Sequence, residues 1–109
     1  MYLRINWGRV KPGHWDAYEQ DYQKVVIEGA ADVPGLRGRM LLRDTSDADA
    51  GGTLSLWDSA DAVHTYEQTQ VGQQVVPALQ EHFTGDYTTH ECEVRIASGD
   101  LGNLGGSGA

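Results

Sequence analysis

Three kinds of residue in this chain could do chemistry on a small molecule: a strand asparagine, a set of tyrosines and tryptophans, and four histidines. Asn6 offers a neutral hydrogen-bond donor, which in a dry site is worth more than in water. It reads equally as an edge polar residue facing solvent. Trp15, Tyr18 and Tyr22 recur at helical spacing and form an aromatic stripe. Such a stripe can line a site for an aromatic ring or simply pack as core. Tyr66 lies on a second apolar stripe with the same two readings: an aromatic wall carrying a phenolic donor, or core. Trp57 ends a strand and either joins that lining or packs under the second helix. His64 is the histidine nearest Tyr66, and a side chain that titrates near neutral pH suits proton removal from a phenol. On a regular helix, however, it sits about 160° around from Tyr66, which points to a solvated flank.

Other chemistry is poorly represented. His14, His82 and His90 read as isolated. His90 and Cys92 share a strand face, but two ligands without further donors make a poor metal site. The glycines near the end precede no helix and cannot cradle a phosphate, so no flavin or nicotinamide is expected. Gly-x-Ser-x-Gly is absent. The expectation is no metal and no cofactor.

These residues are positioned by six elements. Tyr2 to Arg9 alternates, with Leu3, Ile5 and Trp7 on one face and Tyr2, Arg4 and Asn6 on the other, which is a strand. Lys11-Pro12-Gly13 breaks it. His14 to about Ala31 is helical, with Trp15, Tyr18, Tyr22, Val25 or Val26, and Gly29 on the apolar side. Val33-Pro34-Gly35 turns the chain. Leu36 to Arg43 is a second strand, with Leu36, Gly38, Met40 and Leu42 on one face and Arg37, Arg39, Leu41 and Arg43 on the other. Asp44 to Gly52 reads as a hairpin loop and Thr53 to Trp57 as a third strand. Asp58 or Ser59 caps the next helix. Gly72 and Pro77 interrupt it, so two short helices are expected, the second beginning near Pro77 with Leu79 and Phe83 buried. Gly85-Asp86 reads as a turn and Tyr87 to Ile96 as the last strand. The order is βαββαβ, an α+β ferredoxin-like plan. One such sheet has a helix-covered face and a bare face, so a pair of chains is expected.

Length and charge narrow the partners. At 109 residues there is room for one core. Eight basic against sixteen acidic residues leave a net charge of −8, which disfavours nucleic acid and anionic membrane. No apolar run reaches the roughly 20 residues needed to span a bilayer. The N-terminus runs directly into a strand, so no signal peptide is expected. A lone cysteine, Cys92, suits a reducing cytoplasm. Residues 97–109 are glycine-rich and read as a flexible tail after a domain of residues 1–96.

Four local signatures carry a resemblance to a known family. They are Val10-Lys11-Pro12-Gly13 after the opening strand, Val33-Pro34-Gly35-Leu36, Leu56-Trp57-Asp58-Ser59, and His90-Glu91-Cys92-Glu93-Val94. In this order and spacing the chain resembles the antibiotic biosynthesis monooxygenase superfamily of dimeric α+β barrels. The resemblance implies a homodimer with facing sheets and a pocket between each sheet and its own helices. It implies that Asn6 points into that pocket to hold substrate or an oxygen species and that Tyr66 walls it; Trp15, Tyr18, Tyr22 and Trp57 are the aromatic residues that could complete its lining. The implied activity is cofactor-independent oxidation of a phenolic or polyketide-like aromatic by O₂; the alternative is a non-catalytic small-molecule binder. Haem-degrading relatives supply an axial histidine where this chain has Val76. The nearest histidine is His82, so haem is disfavoured. The segment Gly99-Asp100-Leu101-Gly102-Asn103-Leu104 resembles encapsulin cargo-loading peptides, with Leu101 and Leu104 as anchors for a shell protein. A plain flexible end is the other reading.

Overall fold

The computed structural model describes residues 1–100; the Leu101 and Leu104 anchors lie outside the described residues. Strand β1 (Tyr2–Val10) leads into helix α1 (Trp15–Asp21), which continues as a π-helical segment over Tyr22–Glu28. Strands β2 (Leu36–Arg43) and β3 (Ala50–Trp57) form a hairpin. Helices α2 (Ala60–Gln68) and α3 (Gln70–Gln80) precede strand β4 (Phe83–Glu93). The strands make one sheet in the order β2-β3-β1-β4, antiparallel throughout. This is the ferredoxin-like α+β arrangement. No helix among the described residues is long and apolar enough to cross a membrane.

The register fixes the two faces. Asn6 pairs with Thr53 and Thr89, Arg4 with Ser55 and Glu91, and Arg39 with Ser55. Those side chains share the face under the helices. Leu3, Ile5 and Trp7 lie on the opposite face with Met40, Leu42 and Leu54, because side chains alternate along a strand. No described helix covers that second face. Two packed clusters hold the helices down: Val10, Trp15, Tyr18 and Phe83, and Tyr22, Val26 and Val75. Each fully buried side chain of this size stabilises the fold by roughly 1.5–3 kcal/mol.

Several local expectations need correcting. The first helix is not regular. Its buried positions Tyr22, Val26 and Ala30 recur every four residues, wider than an α-turn, and the Gly29 amide donates to the Lys24 carbonyl five residues back (3.0 Å). Arg39 Nη2 reaches across from β2 and donates to the Ala30 carbonyl at 2.6 Å and the Ile27 carbonyl at 3.4 Å, closing that widened end. Leu36 does not stay with Gly38 and Met40. A bulge at Arg37 places two residues against one, so Leu36 lies opposite Trp57 on the helical face. Gly51 and Gly52 belong to β3, not to a loop. A Cβ on Gly51 would lie 2.7 Å from the Trp15 ring, so the missing side chain is what lets Trp15 lie on the sheet.

The second helical region breaks earlier than Pro77. Thr69 leaves the helix (φ −74°, ψ 156°), and its Oγ1 accepts from the Gly72 amide at 3.0 Å, starting α3 there. Pro77 therefore lies inside α3. Ser59, not Asp58, caps α2, accepting from the Ala62 amide at 3.2 Å; Asp58 pairs with Arg37 instead. Phe83 opens β4 and does not end a helix. Gly85 and Asp86 lie in β4 where the register slips between Gly8 and Val10, a bulge and not a turn. β4 ends at Glu93, three residues before the expected Ile96.

Candidate functional site

The helices and the central strands enclose a small cavity of about 80 Å³. From the sheet it is lined by Arg4, Asn6, Thr53, Ser55, Trp57 and Arg39; from the helices by Tyr22, Val26, Tyr66 and Val75. Asn6 sits mid-strand between two threonines. Its Nδ2 donates to Thr53 Oγ1 at 3.2 Å and its Oδ1 accepts from Thr89 Oγ1 at 2.8 Å. These two contacts fix the amide orientation and leave one N–H of Nδ2 uncommitted.

Two donors around this cavity have no partner among the described residues. Tyr22 Oη and Arg4 Nε are both buried without a hydrogen bond there. A buried polar group left unsatisfied costs about 1–3 kcal/mol, so two in one small cavity mark it as a place for something that accepts. Arg4 is further tied to Glu67 on α2 at 3.6 Å. Burial pushes the Tyr22 hydroxyl up to about 12, with Arg39 pulling the other way. Burial also raises the Tyr66 and Tyr87 hydroxyls; Arg39 and Arg4 counter it at Tyr66, and Arg4 at Tyr87. Two guanidiniums thus offset part of the cost that burial places on an anion in this water-poor space.

Tyr66 lies against Trp57, with ring centroids 5.5 Å apart at 41°. Asn6, Tyr22, Trp57 and Tyr66 therefore meet around one cavity. The rest of the aromatic stripe does not join them. Tyr18 is 1% exposed and packs with Trp15, Val10 and Phe83 in the neighbouring cluster. Burial raises the Tyr18 hydroxyl strongly. Trp15 carries the Arg43 guanidinium over its ring at 4.9 Å. His64 is exposed and lies 3.6 Å from Glu91 of β4, outside the cavity lining. Glu91 in turn accepts from the Tyr2 hydroxyl and is held below the usual carboxylate range chiefly by that bond.

Two histidines that read as isolated are adjacent. His82, 5% exposed, faces Asp21 (Nε2 to Oδ2, 2.6 Å) and His14 (Nδ1 to Nδ1, 3.4 Å). They tie the start of α1 to the α3–β4 junction, and a distance of 68 residues along the chain hid the contact. Asp21, Glu81 and His82 could share a cation, as could His64, Glu67 and Glu91 at the surface. Among the described residues neither group borders the cavity that Asn6 and Tyr22 line. The polar residues that sequence reasoning missed at the cavity are Arg4, Arg39, Thr53, Ser55 and Tyr87, with Thr89 bonded to Asn6 from β4. The only sequence signal for them was strand alternation with Asn6.

Comparison with known proteins bears on the family and the fold. Residues 1–83 match the family described as Antibiotic biosynthesis monooxygenase. No curated protein matches by sequence. Among solved structures, the chain is similar to SnoaB, a cofactor-independent oxygenase from Streptomyces nogalater, with 17% identity over 88% of this chain and 94% of that one at a TM-score of 0.75. A protein from Chloroflexus aurantiacus given the same family description is 23% identical over 90% and 96% of the two chains, at 0.70. One from Caulobacter crescentus is 17% identical over 87% and 90%, at 0.75. With more than half its length matched by the family and its fold shared with these structures, the chain belongs to the antibiotic biosynthesis monooxygenase family.

Proposed function

We propose that the protein is a cofactor-independent monooxygenase acting on a phenolic or polyketide-like aromatic. The observation that carries this reading is the cavity under the helices, where buried, unpartnered donors of Tyr22 and Arg4 stand beside Asn6. The substrate's CH₂–C=O unit enolises to a phenol, whose O–H proton passes to solvent water while Arg4 and Arg39 hold the anion. The electron-rich ring reduces O₂ by one electron, and the radical pair recombines at the former CH₂ carbon, now CH, to a carbon-bound peroxide. The peroxide takes a proton, and loss of water with the remaining C–H proton leaves a carbonyl. For a CH₂ group the balance is CH₂ plus O₂ to C=O plus H₂O, with all four electrons from the substrate. The free N–H of Asn6, Tyr22 Oη and Arg4 Nε hold the oxyanion, and Tyr66 with Trp57 bounds the ring.

The test is oxygen uptake with hydroxylated anthrones and quinols, on the protein and on Asn6→Ala. Uptake above buffer that falls on substitution while affinity persists supports an enzyme; no uptake with any of them sinks that reading. The second reading, a non-catalytic binder, is favoured by His64 lying outside the cavity. It predicts undiminished affinity and no turnover in either protein.

The active particle in this proposal is a homodimer whose sheets face each other through Leu3, Ile5, Trp7, Met40, Leu42 and Leu54. The exposed, single thiol of Cys92 supports a reducing cytoplasm as its setting. The proposal extends to the tail, where Leu101 and Leu104 would load the protein into an encapsulin shell. Deleting residues 99–109 should then abolish co-purification with a shell protein, and unchanged co-purification would overturn that role.

A further inference from the structure

The cavity under the helices is too small for the ring system it is meant to serve. Its 80 Å³ is about half the ~150 Å³ that accepts one benzene in an engineered apolar cavity. Tyr66, however, has a second side. It also borders an open groove of about 420 Å³ between the end of the π-helical segment and α2. The groove is lined by Ala30, Val33, Pro34, Thr65 and Val71 among others, and its volume falls in the range of small-molecule sites. Among the described residues Tyr66 is the one shared by groove and cavity. Its ring lies at a tilt against Trp57, and its hydroxyl has no hydrogen-bond partner among the described residues. A side chain held this way can change rotamer without breaking a polar network. Behind it waits the Tyr22 hydroxyl, on a residue 7% exposed and with no partner of its own.

We infer that Tyr66 divides a two-chamber site. A planar phenolic aromatic seats its rings in the outer groove against Val33, Pro34 and Val71. Tyr66 swings aside to admit only the reacting edge to the inner chamber of Tyr22, Arg4 and Asn6. This rests on the oxygenase reading for the identity of the ligand, and it moves the substrate seat from the sheet–helix cavity to the groove outside it.

The experiment titrates the full chain with 1,8-dihydroxyanthraquinone, followed by the visible absorbance of the probe. Ala31→Phe/Thr65→Phe fills the groove from two exposed positions. Val71→Phe, at a position 39% exposed, is an independent filling that spares α2. Both should weaken binding at least tenfold, while Thr84→Phe, at an exposed position bordering neither chamber, should leave it within twofold. Val75→Phe, which crowds the inner chamber, should change affinity by less than threefold. Groove-filled variants that bind like the wild type, or a wild type that does not bind the probe, would overturn the inference. Oxygen uptake measured on the same samples separates the two ideas. Uptake that survives groove filling removes the seat and leaves the oxygenase. Groove-dependent affinity without uptake by any anthrone leaves the seat and removes the oxygenase.

Discussion

Asn6 owes its position to two threonines and its usefulness to the one N–H they leave free. Asn6→Ala should lower kcat by about 10²–10³-fold, the range for loss of one oxyanion donor, with little change in affinity. Steady-state oxygen uptake checks this. Tyr22 gives an opposite pairing of effects. Its hydroxyl is buried without a partner, so Tyr22→Phe should stabilise the free protein by about 1 kcal/mol in urea denaturation while reducing turnover. A destabilised variant would mean that the hydroxyl has a partner in solution. The same phenol gives a pH signature. Burial raises its pKa from 10.0 to about 12, so between those values the folded chain keeps a proton that the unfolded chain has lost. Its contribution to stability is complete below pH 10 and declines as pH rises through that window. Tyr22→Phe should therefore flatten the alkaline limb of a stability–pH curve in part, with Tyr18, Tyr66 and Tyr87 also contributing to it.

At the scale of elements, the junction of α2 and α3 decides where Tyr66 stands. Thr69 turns the chain, accepts from the Gly72 amide and donates to the Tyr66 carbonyl at 2.6 Å. A Cβ on Gly72 would fall 2.1 Å from that same carbonyl oxygen. Gly72→Ala should thus cost about 1–3 kcal/mol, as overpacking does, and displace the wall of the cavity. Loss of both stability and probe affinity would show the linkage; an unchanged urea midpoint would refute it. The π-helical segment works at the other wall. Its wider turn brings Tyr22 and Val26 onto the cavity together, and Arg39 holds its end by two carbonyls.

For the whole molecule the uncovered sheet face is the dominant fact. Leu3, Ile5, Trp7, Met40, Leu42 and Leu54 form a contiguous apolar surface with no described helix upon it. In the proposed homodimer, Ile5→Lys should split the pair into monomers, read by light scattering on a size-exclusion column. A wild-type mass equal to a single chain would remove the dimer outright.

Period-two alternation, the Pro-Gly turns and the two apolar stripes determined the order of elements, because local sterics and amphipathicity are written within a few residues of each position. They also placed Asn6 and Arg4 on one face, although only Asn6 was read as functional. Bulges, breaks and partners were decided in three dimensions. The slip at Arg37 that turns Leu36 inward, the bulge at Gly85-Asp86 and the break at Thr69 each depend on what a neighbouring element demands of the backbone. The split of the aromatic stripe, with Tyr22 at the cavity and Trp15 and Tyr18 packed on Val10 and Phe83, is set by which strand lies beneath each residue, which local periodicity does not encode. The meeting of His14, Asp21 and His82, and the field of Arg4 and Arg39 over Tyr66, join residues far apart in the chain. Electrostatics and packing act through space, so only the folded backbone could bring those charges and rings to one place.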